Sequence, residues 1–190
     1  GVFEDKGIVT GYAGGPSTGP LQPQGDWARQ IDEWVTRFDP DVVVMEACCD
    51  YTQATDDVYT DPAGNEVLPA IDAVYPNWDR EVRDLIRRAR AGGAQVIWVL
   101  SPPVQTNGFY GPLEQHVERL NQMYRNLPVE LLDWGRVITP DGTYTETVPG
   151  PGGEPLDVRL EDGVHMTEAA NRLLAALTLL LELALLVAQA

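Results

Sequence analysis

The stretch Trp78–Pro103, WDREVRDLIRRARAGGAQVIWVLSPP, predicts a helix followed directly by a buried strand. Apolar side chains recur at helical spacing through its first half and stop before a glycine pair that begins at Gly92, which suits the left-handed end of a helix. The run Gln95–Leu100 is almost entirely apolar, as in a strand covered on both faces, and two prolines close it soon afterwards. Such a helix–strand unit is the building block of an α/β sheet.

Two further helix–strand units share this pattern, and a proline ends each helix: Trp27–Phe38 before Val42–Met45, and Leu113–Leu127 before Val129–Trp134. We expect Val42–Met45 to be buried on both faces because its residues are apolar and mostly β-branched. The alternation with short connections predicts a parallel sheet with helices on both faces, in a single domain over residues 1–190. Ligands bind such sheets beyond the carboxyl ends of the strands.

The segments between these units read as loops and turns. Asp50–Pro69 is polar and predicts a long loop, and Val137–Thr147 predicts a polar hairpin around Pro140. A Gly/Pro-rich loop over Pro149–Pro155 leads towards a final helix, for which Thr167 is the expected N-cap.

Composition and charge exclude several classes of protein. With 13 Lys and Arg against 29 Asp and Glu, the net charge of -16 argues against nucleic-acid binding. The adjacent cysteines Cys48 and Cys49 cannot form an ordinary loop-closing disulfide with each other, which excludes a disulfide scaffold. Leu173–Ala190 is mostly apolar but carries Glu182 at its middle, so it predicts a buried helix or a helix–helix interface, with self-association, in preference to a membrane anchor.

The segment Glu161–Thr167 carries the sharpest chemical signal. Asp162 and His165 are three residues apart in a loop that enters a helix. A turn there lets the carboxylate accept a hydrogen bond from one imidazole nitrogen and leaves the other nitrogen free to act as a base. A solvated turn with a surface histidine is the alternative interpretation.

Asp162–His165, followed by an Ala/Leu-rich last helix, resembles the final sequence block of the SGNH (GDSL-type) hydrolases, where Asp and His complete a Ser-His-Asp triad. Other segments are similar to earlier parts of that family and occur in its order: Val2–Gly11 (second strand and block), Phe38–Met45 (third strand), Glu46–Tyr51 (oxyanion block) and Ala94–Pro103 (strand and Pro-rich turn). The resemblance covers nearly the whole chain. It implies an α/β fold, a three-layer α/β/α sandwich with a parallel, flavodoxin-like sheet.

The resemblance also implies acyl-ester hydrolysis or O-acyl transfer through a Ser-His-Asp mechanism. It assigns four residues: His165 as general base and acid, Asp162 as its orienting carboxylate, Gly11 as a backbone donor of the oxyanion hole, and Cys49 at the position of the oxyanion Asn. The implied substrates are acylated, chiefly acetylated, carbohydrates or envelope glycans, and no metal or organic cofactor is required. The likeness is closest to SGNH domains on or beside bacterial membrane acyltransferases, which implies an extracytoplasmic or secreted location and a membrane-acyltransferase partner domain.

The chain departs from the family pattern at two positions. The Gly-Asp-Ser block is absent and the chain opens where that block should already have passed, so we expect the N-terminal strand and the nucleophile to be missing. Of the two serines, Ser17 lies in a Gly/Pro loop and Ser101 at a strand end, where a turn role is expected. A thiol at Cys49 donates a weaker hydrogen bond than an amide. Two alternatives therefore stay open: Cys48 or Cys49 as a thiol nucleophile, and a catalytically inactive SGNH-like module that binds a glycan or a protein.

Two other groups of residues are expected to take no part in catalysis or metal binding. His116, within the third predicted helix, is expected at the surface or at its boundary. Asp56, Asp57 and Asp61 do not have the spacing of an EF-hand loop, so they predict a solvated acidic loop without calcium.

Overall fold

A computed structural model describes residues 11, 19–21, 26–48, 59–60, 66–67, 71–105, 113–150, 152–176 and 178. The helices are α1 (Trp27–Phe38), α2 (Ile71–Ala91), α3 (Leu113–Tyr124), α4 (Gly135–Ile138) and α5 (168–176). The strands are β1 (Val42–Met45), β2 (Tyr59–Thr60), β3 (Glu66–Val67), β4 (Gln95–Leu100), β5 (Glu130–Asp133), β6 (Thr147–Pro149) and β7 (Pro155–Asp157).

These elements fall into two compact units. The first, called the sheet unit, comprises the described residues of 14–101 and 108–132. The second, called the histidine unit, comprises those of 1–13, 102–107 and 133–190 and therefore contains Asp162 and His165.

The sheet unit is built on a strand order of β1-β4-β5, with β1 and β4 parallel as the helix–strand alternation predicts. Val42 lies opposite Gln95, and Met45 lies opposite Trp98. β4 is buried from its second residue onwards, which confirms the expectation for that strand. The same expectation is wrong for β1, where Val44 is 42% exposed. Alternate side chains of a strand point to opposite faces. Among the described residues, none covers the face of β1 to which Val44 points.

The core of the sheet unit joins α2, β4 and α3 through buried aromatic side chains. The Trp78 indole N–H donates to Tyr124 Oη at 2.6 Å, and the Tyr124 hydroxyl donates to the Ala47 carbonyl, just beyond β1, at 2.8 Å. Both polar groups are thus satisfied inside the core, as burial requires. At Gly92, a Cβ would overlap the Val35 side chain, so the glycine that ends α2 also allows α1 to approach.

The three long helices confirm the predictions from apolar spacing, although α2 begins at Ile71, seven residues before Trp78, and α3 ends at Tyr124, three residues before Leu127. His116 is a correction, because it is buried and its Nδ1 lies 2.5 Å from Tyr75 Oη. His116 lies on the apolar face of α3, and the tyrosine hydroxyl is a hydrogen-bond partner for Nδ1.

Two loop predictions are wrong in part. The predicted loop Asp50–Pro69 contains a short antiparallel ladder of β2 with β3, whose two-residue strands are too short to produce a periodic pattern. The segment around Pro140 is the turn after α4, and it is not a hairpin. The antiparallel pair here is β6 with β7, which the Gly/Pro-rich residues 150–154 connect. Two adjacent strands of three residues each, rich in proline, give no alternation to read.

Candidate active site

The histidine unit presents Asp162 and His165 on a tight antiparallel turn. Arg159 forms an antiparallel bridge with Met166, and the Leu160 N–H donates to the His165 carbonyl at 2.9 Å. The Gly163 N–H donates back to the Leu160 carbonyl at 2.9 Å and closes the turn. The backbone therefore folds the four residues between Leu160 and His165 into one fixed loop.

The hydrogen bond that the three-residue spacing predicts is present. His165 Nδ1 lies 2.6 Å from Asp162 Oδ2, while Asp162 Oδ1 accepts the backbone N–H groups of Val164 and His165, both at 2.9 Å. Burial raises the pKa of Asp162, but the hydrogen bonds from the His165 side chain and the two backbone amides outweigh it, and the pKa lies below its ordinary value of 3.8. Asp162 is therefore ionised at neutral pH.

This ionisation decides the tautomer of His165. A carboxylate only accepts hydrogen bonds, so His165 Nδ1 carries the proton and Nε2 is the basic nitrogen. The imidazole side chain is 65% exposed, whereas that of Asp162 is 29% exposed. The carboxylate orients the imidazole through Nδ1, and two backbone amides orient the carboxylate. An exposed imidazole held in this way has the arrangement of a general base.

Gly163 allows this loop to lie against the chain at Gln105. Its φ is +70°, and a Cβ there would lie 2.9 Å from the carbonyl carbon of Gln105 and closer still to its oxygen. The Gln105 N–H also donates to the Gly163 carbonyl at 3.2 Å. Only glycine fits this position, because any side chain would be strained and would displace the Gln105 backbone.

Arg159 braces the same loop from its buried side, and sequence reasoning missed it. The residue is 6% exposed, Nη1 donates to the Val164 carbonyl at 2.8 Å, and Nη2 donates to the Pro103 carbonyl at 2.6 Å. The guanidinium carbon lies 5.8 Å from the centre of the Tyr144 ring. Alternation in Val158-Arg159-Leu160 places the arginine outwards, so no local signal identifies it.

The helix after the site begins as predicted. Thr167 Oγ1 accepts the Ala170 N–H at 3.1 Å and donates to the Asp157 carbonyl at 2.7 Å, which confirms Thr167 as the N-cap of α5. A small apolar core anchors α5 beneath the loop: Ile138, Val148, Val158, Ala170 and Leu174. The loop is therefore fixed at both ends.

Among the other predicted site residues, the structure describes Gly11, Cys48 and Ser101. Gly11 is exposed, and no hydrogen bond among the described residues joins it to Asp162 or His165. Ser17 and Cys49 lie outside the described residues, as do the aspartates at 56, 57 and 61. Cys48 is disulfide-bonded although the sequence contains only two cysteines and these are adjacent, which corrects the expectation that they form no disulfide. The bond removes the Cys48 thiol from the nucleophile candidates.

Ser101 has the structural role expected of a strand-end residue. It is buried, and its hydroxyl donates to Glu46 Oε1 at 3.1 Å. Its backbone N–H donates to Asn121 Oδ1 at 3.2 Å, and Asn121 Nδ2 donates back to the Ser101 carbonyl at 2.7 Å. This reciprocal pair closes the end of β4 onto α3.

Within the part of the chain that the structure describes, no group of three or more His, Cys, Asp and Glu is placed to hold a metal ion. No helix in those ranges has both the length and the apolarity needed to cross a membrane.

Known structures define the class of fold. A GDSL-like lipase from Bacteroides thetaiotaomicron superposes with a TM-score of 0.56 at 17% identity, over 96% of this chain and 79% of that one. A carbohydrate esterase family 3 protein from Talaromyces cellulolyticus superposes with a TM-score of 0.54 at 15% identity, over 90% of this chain and 70% of that one. The predicted α/β fold of the SGNH (GDSL-type) hydrolases is thereby confirmed.

The family follows from the sequence itself. The chain belongs to the family described as protein of unknown function (DUF459), whose profile matches residues 3–180. No curated protein matches the chain.

Proposed function

We propose that this chain is an acyl-ester hydrolase or O-acyltransferase in which Asp162 and His165 are the carboxylate and the histidine of a Ser-His-Asp mechanism whose serine is not evident in these 190 residues. The observation that carries the proposal is the Asp162–His165 pair, joined at 2.6 Å with Nε2 of the imidazole left towards solvent. The fold adds support, because solved neighbours of the same fold include proteins described as a GDSL-like lipase and a carbohydrate esterase.

The geometry gives each residue of the pair one task in the reaction. His165 Nε2 takes the proton of a serine hydroxyl while the serine oxygen bonds to the ester carbonyl carbon. The resulting imidazolium gives this proton to the alcohol oxygen as the bond between carbonyl carbon and alcohol breaks. Water or an acceptor hydroxyl then attacks the acyl-serine with His165 again as base, so hydrolysis and transfer differ only in the second nucleophile. Asp162 stabilises the imidazolium in both steps.

The oxyanion hole and the substrate class belong to the same proposal. Gly11 would donate a backbone N–H to the oxyanion, and Cys49 would occupy the position of the second donor. Acetyl esters of carbohydrates or envelope glycans are the proposed substrates. A solved neighbour described as a carbohydrate esterase of family 3 supports this choice. A membrane-acyltransferase domain is the proposed partner.

The serine can be identified by covalent labelling. A fluorophosphonate probe reacts with a serine only when a base activates the hydroxyl, and mass spectrometry locates the adduct. Ser101 should stay unlabelled because its hydroxyl is buried and donates to Glu46. Labelling at Ser101 would contradict this assignment, and labelling that survives His165→Ala would contradict the role of His165.

Turnover of p-nitrophenyl acetate tests the proposal directly. The protein with its serine nucleophile in place should hydrolyse the ester, His165→Ala should abolish turnover, and Glu161→Gln should retain it. Glu161 is the matched control because it is an exposed carboxylate in the same loop outside the hydrogen-bonded pair. Equal rates for the wild type and His165→Ala would refute the proposal.

A second candidate is a catalytically inactive module of the same fold that binds a glycan or a protein. The absence of a Gly-Asp-Ser sequence from these 190 residues favours it. It predicts no turnover and no probe labelling, but measurable binding of an acetylated oligosaccharide by calorimetry. Turnover that depends on His165 would exclude it.

A further inference from the structure

Leu160 and His165 form a cross-strand pair on the outer face of the active-site turn. The antiparallel bridge sets Arg159 opposite Met166, so the next pair along the ladder is Leu160 opposite His165. The Leu160 N–H donates to the His165 carbonyl at 2.9 Å, which fixes this register. Directly opposed residues have Cβ atoms about 4.5–5.5 Å apart on one face of the ladder.

Exposure shows which face each pair occupies. Arg159 is 6% exposed and faces inwards, whereas Leu160 is 49% exposed and the His165 side chain is 65% exposed. Successive residues of a strand alternate between faces, so burial of the arginine places the leucine beside the imidazole in solvent. This order is the reverse of what polarity favours, since the large apolar residue is outside and the cation is inside.

The proton transfer determines what this leucine meets. His165 must donate its proton to the oxygen of the leaving alcohol, so the alcohol lies against the imidazole during acyl-enzyme formation, and the acyl group lies beyond the carbonyl carbon. We infer that Leu160 is a specificity-determining residue that contacts an apolar surface of the leaving alcohol. This inference rests on the proposed function and names its substrate class, an ester of an uncharged alcohol with an alkyl chain or a sugar C–H face.

The charges around the turn favour an uncharged alcohol over an anionic one. Residues 152–176 contain five carboxylates and two arginines: Glu154, Asp157, Glu161, Asp162, Glu168, Arg159 and Arg172. Arg159 is buried, and Arg172 is paired with Glu168 at 2.6 Å. An anionic alcohol would therefore meet a surface of its own sign.

Two isomeric esters separate the alcohol from the acyl group. Hexyl acetate and ethyl hexanoate have the same atoms, but the long chain lies on the alcohol in one and on the acyl group in the other. We expect Leu160→Ala to lower kcat/KM about tenfold for hexyl acetate and less than about twofold for ethyl hexanoate, because a few apolar carbons in contact account for discrimination of this size. The ratio kcat/KM is the correct readout since it reports acyl-enzyme formation, the step in which the alcohol leaves.

Two variants and one further ester complete the test. Leu160→Met keeps apolar bulk and should retain most activity on hexyl acetate, and Phe38→Ala, which removes another exposed side chain in the sheet unit, should leave both esters unchanged. The wild type should prefer butyl acetate to 4-acetoxybutanoate. Equal losses on both isomers in Leu160→Ala, or a larger loss on ethyl hexanoate, would overturn the inference and leave the proposed function intact. Absence of turnover with every ester would refute the proposed function and this inference with it.

Discussion

Substitution of Gly163 by alanine measures how closely the turn that carries Asp162 and His165 is packed. Alanine in the left-handed region costs about 1–2 kcal/mol, and Gly163 has a φ of +70°. Its Cβ would also collide with the Gln105 backbone, which adds about 1–3 kcal/mol for overpacking and about 1 kcal/mol for the strained hydrogen bond from the Gln105 N–H. The total expected loss of unfolding free energy is about 3–6 kcal/mol.

Gly153 provides a matched control in the same unit. Its φ is +86°, and nothing lies within 4 Å of the Cβ that alanine would add, so Gly153→Ala carries only the backbone cost of about 1–2 kcal/mol. Thermal unfolding of the two variants compares them directly. The excess of about 2–4 kcal/mol should lower the Tm of Gly163→Ala by at least about 4 °C relative to Gly153→Ala. Equal melting temperatures would refute the packing argument.

Three further predictions concern the charged groups. Arg159→Lys should lower kcat more than it raises KM, because one ammonium cannot reach both the Pro103 and Val164 carbonyls as the guanidinium does; an unchanged kcat in steady-state assays would contradict the brace. Asp162→Asn should lower kcat on the order of 10⁴-fold. The folded pKa of Asp162 lies below 3.8, so the stability it adds is complete above that pH and is lost as the pH falls through the folded pKa. Acid unfolding of Asp162→Asn should lack this component, and identical acid transitions would count against it. Burial and the nearby Arg119 lower the pKa of His116 below 6.5, so its contribution is complete above pH 6.5 and is lost as the pH falls below it. Chemical denaturation of His116→Gln should show a shallower loss of stability between pH 6.5 and 5 than the wild type, and parallel curves would exclude a buried neutral imidazole.

The elements that the sequence predicts correctly are those whose signal is local. Apolar spacing identifies α1 and α2 because each buries one continuous stripe, and the apolar run identifies β4 because both of its faces are covered. Such signals fail for β6 and β7, whose three residues each pair across a Gly/Pro-rich connection. Val44 shows that residue type alone does not predict which face of a strand is buried, since a β-branched residue fits a strand whether or not its face is covered.

In the candidate site, too, local features can be predicted from the sequence and non-local ones cannot. Asp162 and His165 are three residues apart, so the turn that joins them can be read from the sequence. The brace is not local: Arg159 reaches Pro103, 56 residues away, and Gly163 packs on Gln105. Nothing in the sequence around position 159 indicates that the arginine is buried and the following leucine exposed, because that order contradicts polarity and is set by the register of the turn.

The cost of this arrangement argues for chemistry over stability. Water competes for both groups of a contact at the surface, so the Asp162–His165 hydrogen bond by itself stabilises the fold little. Around it the chain places a glycine in the left-handed region, buries a guanidinium and commits two backbone amides to one carboxylate oxygen. Burial of a charge and restriction of the backbone both oppose folding. Together these features fix the carboxylate, and the carboxylate fixes the tautomer and the direction of one surface imidazole. A general base requires such an imidazole, whereas a turn without a chemical role does not.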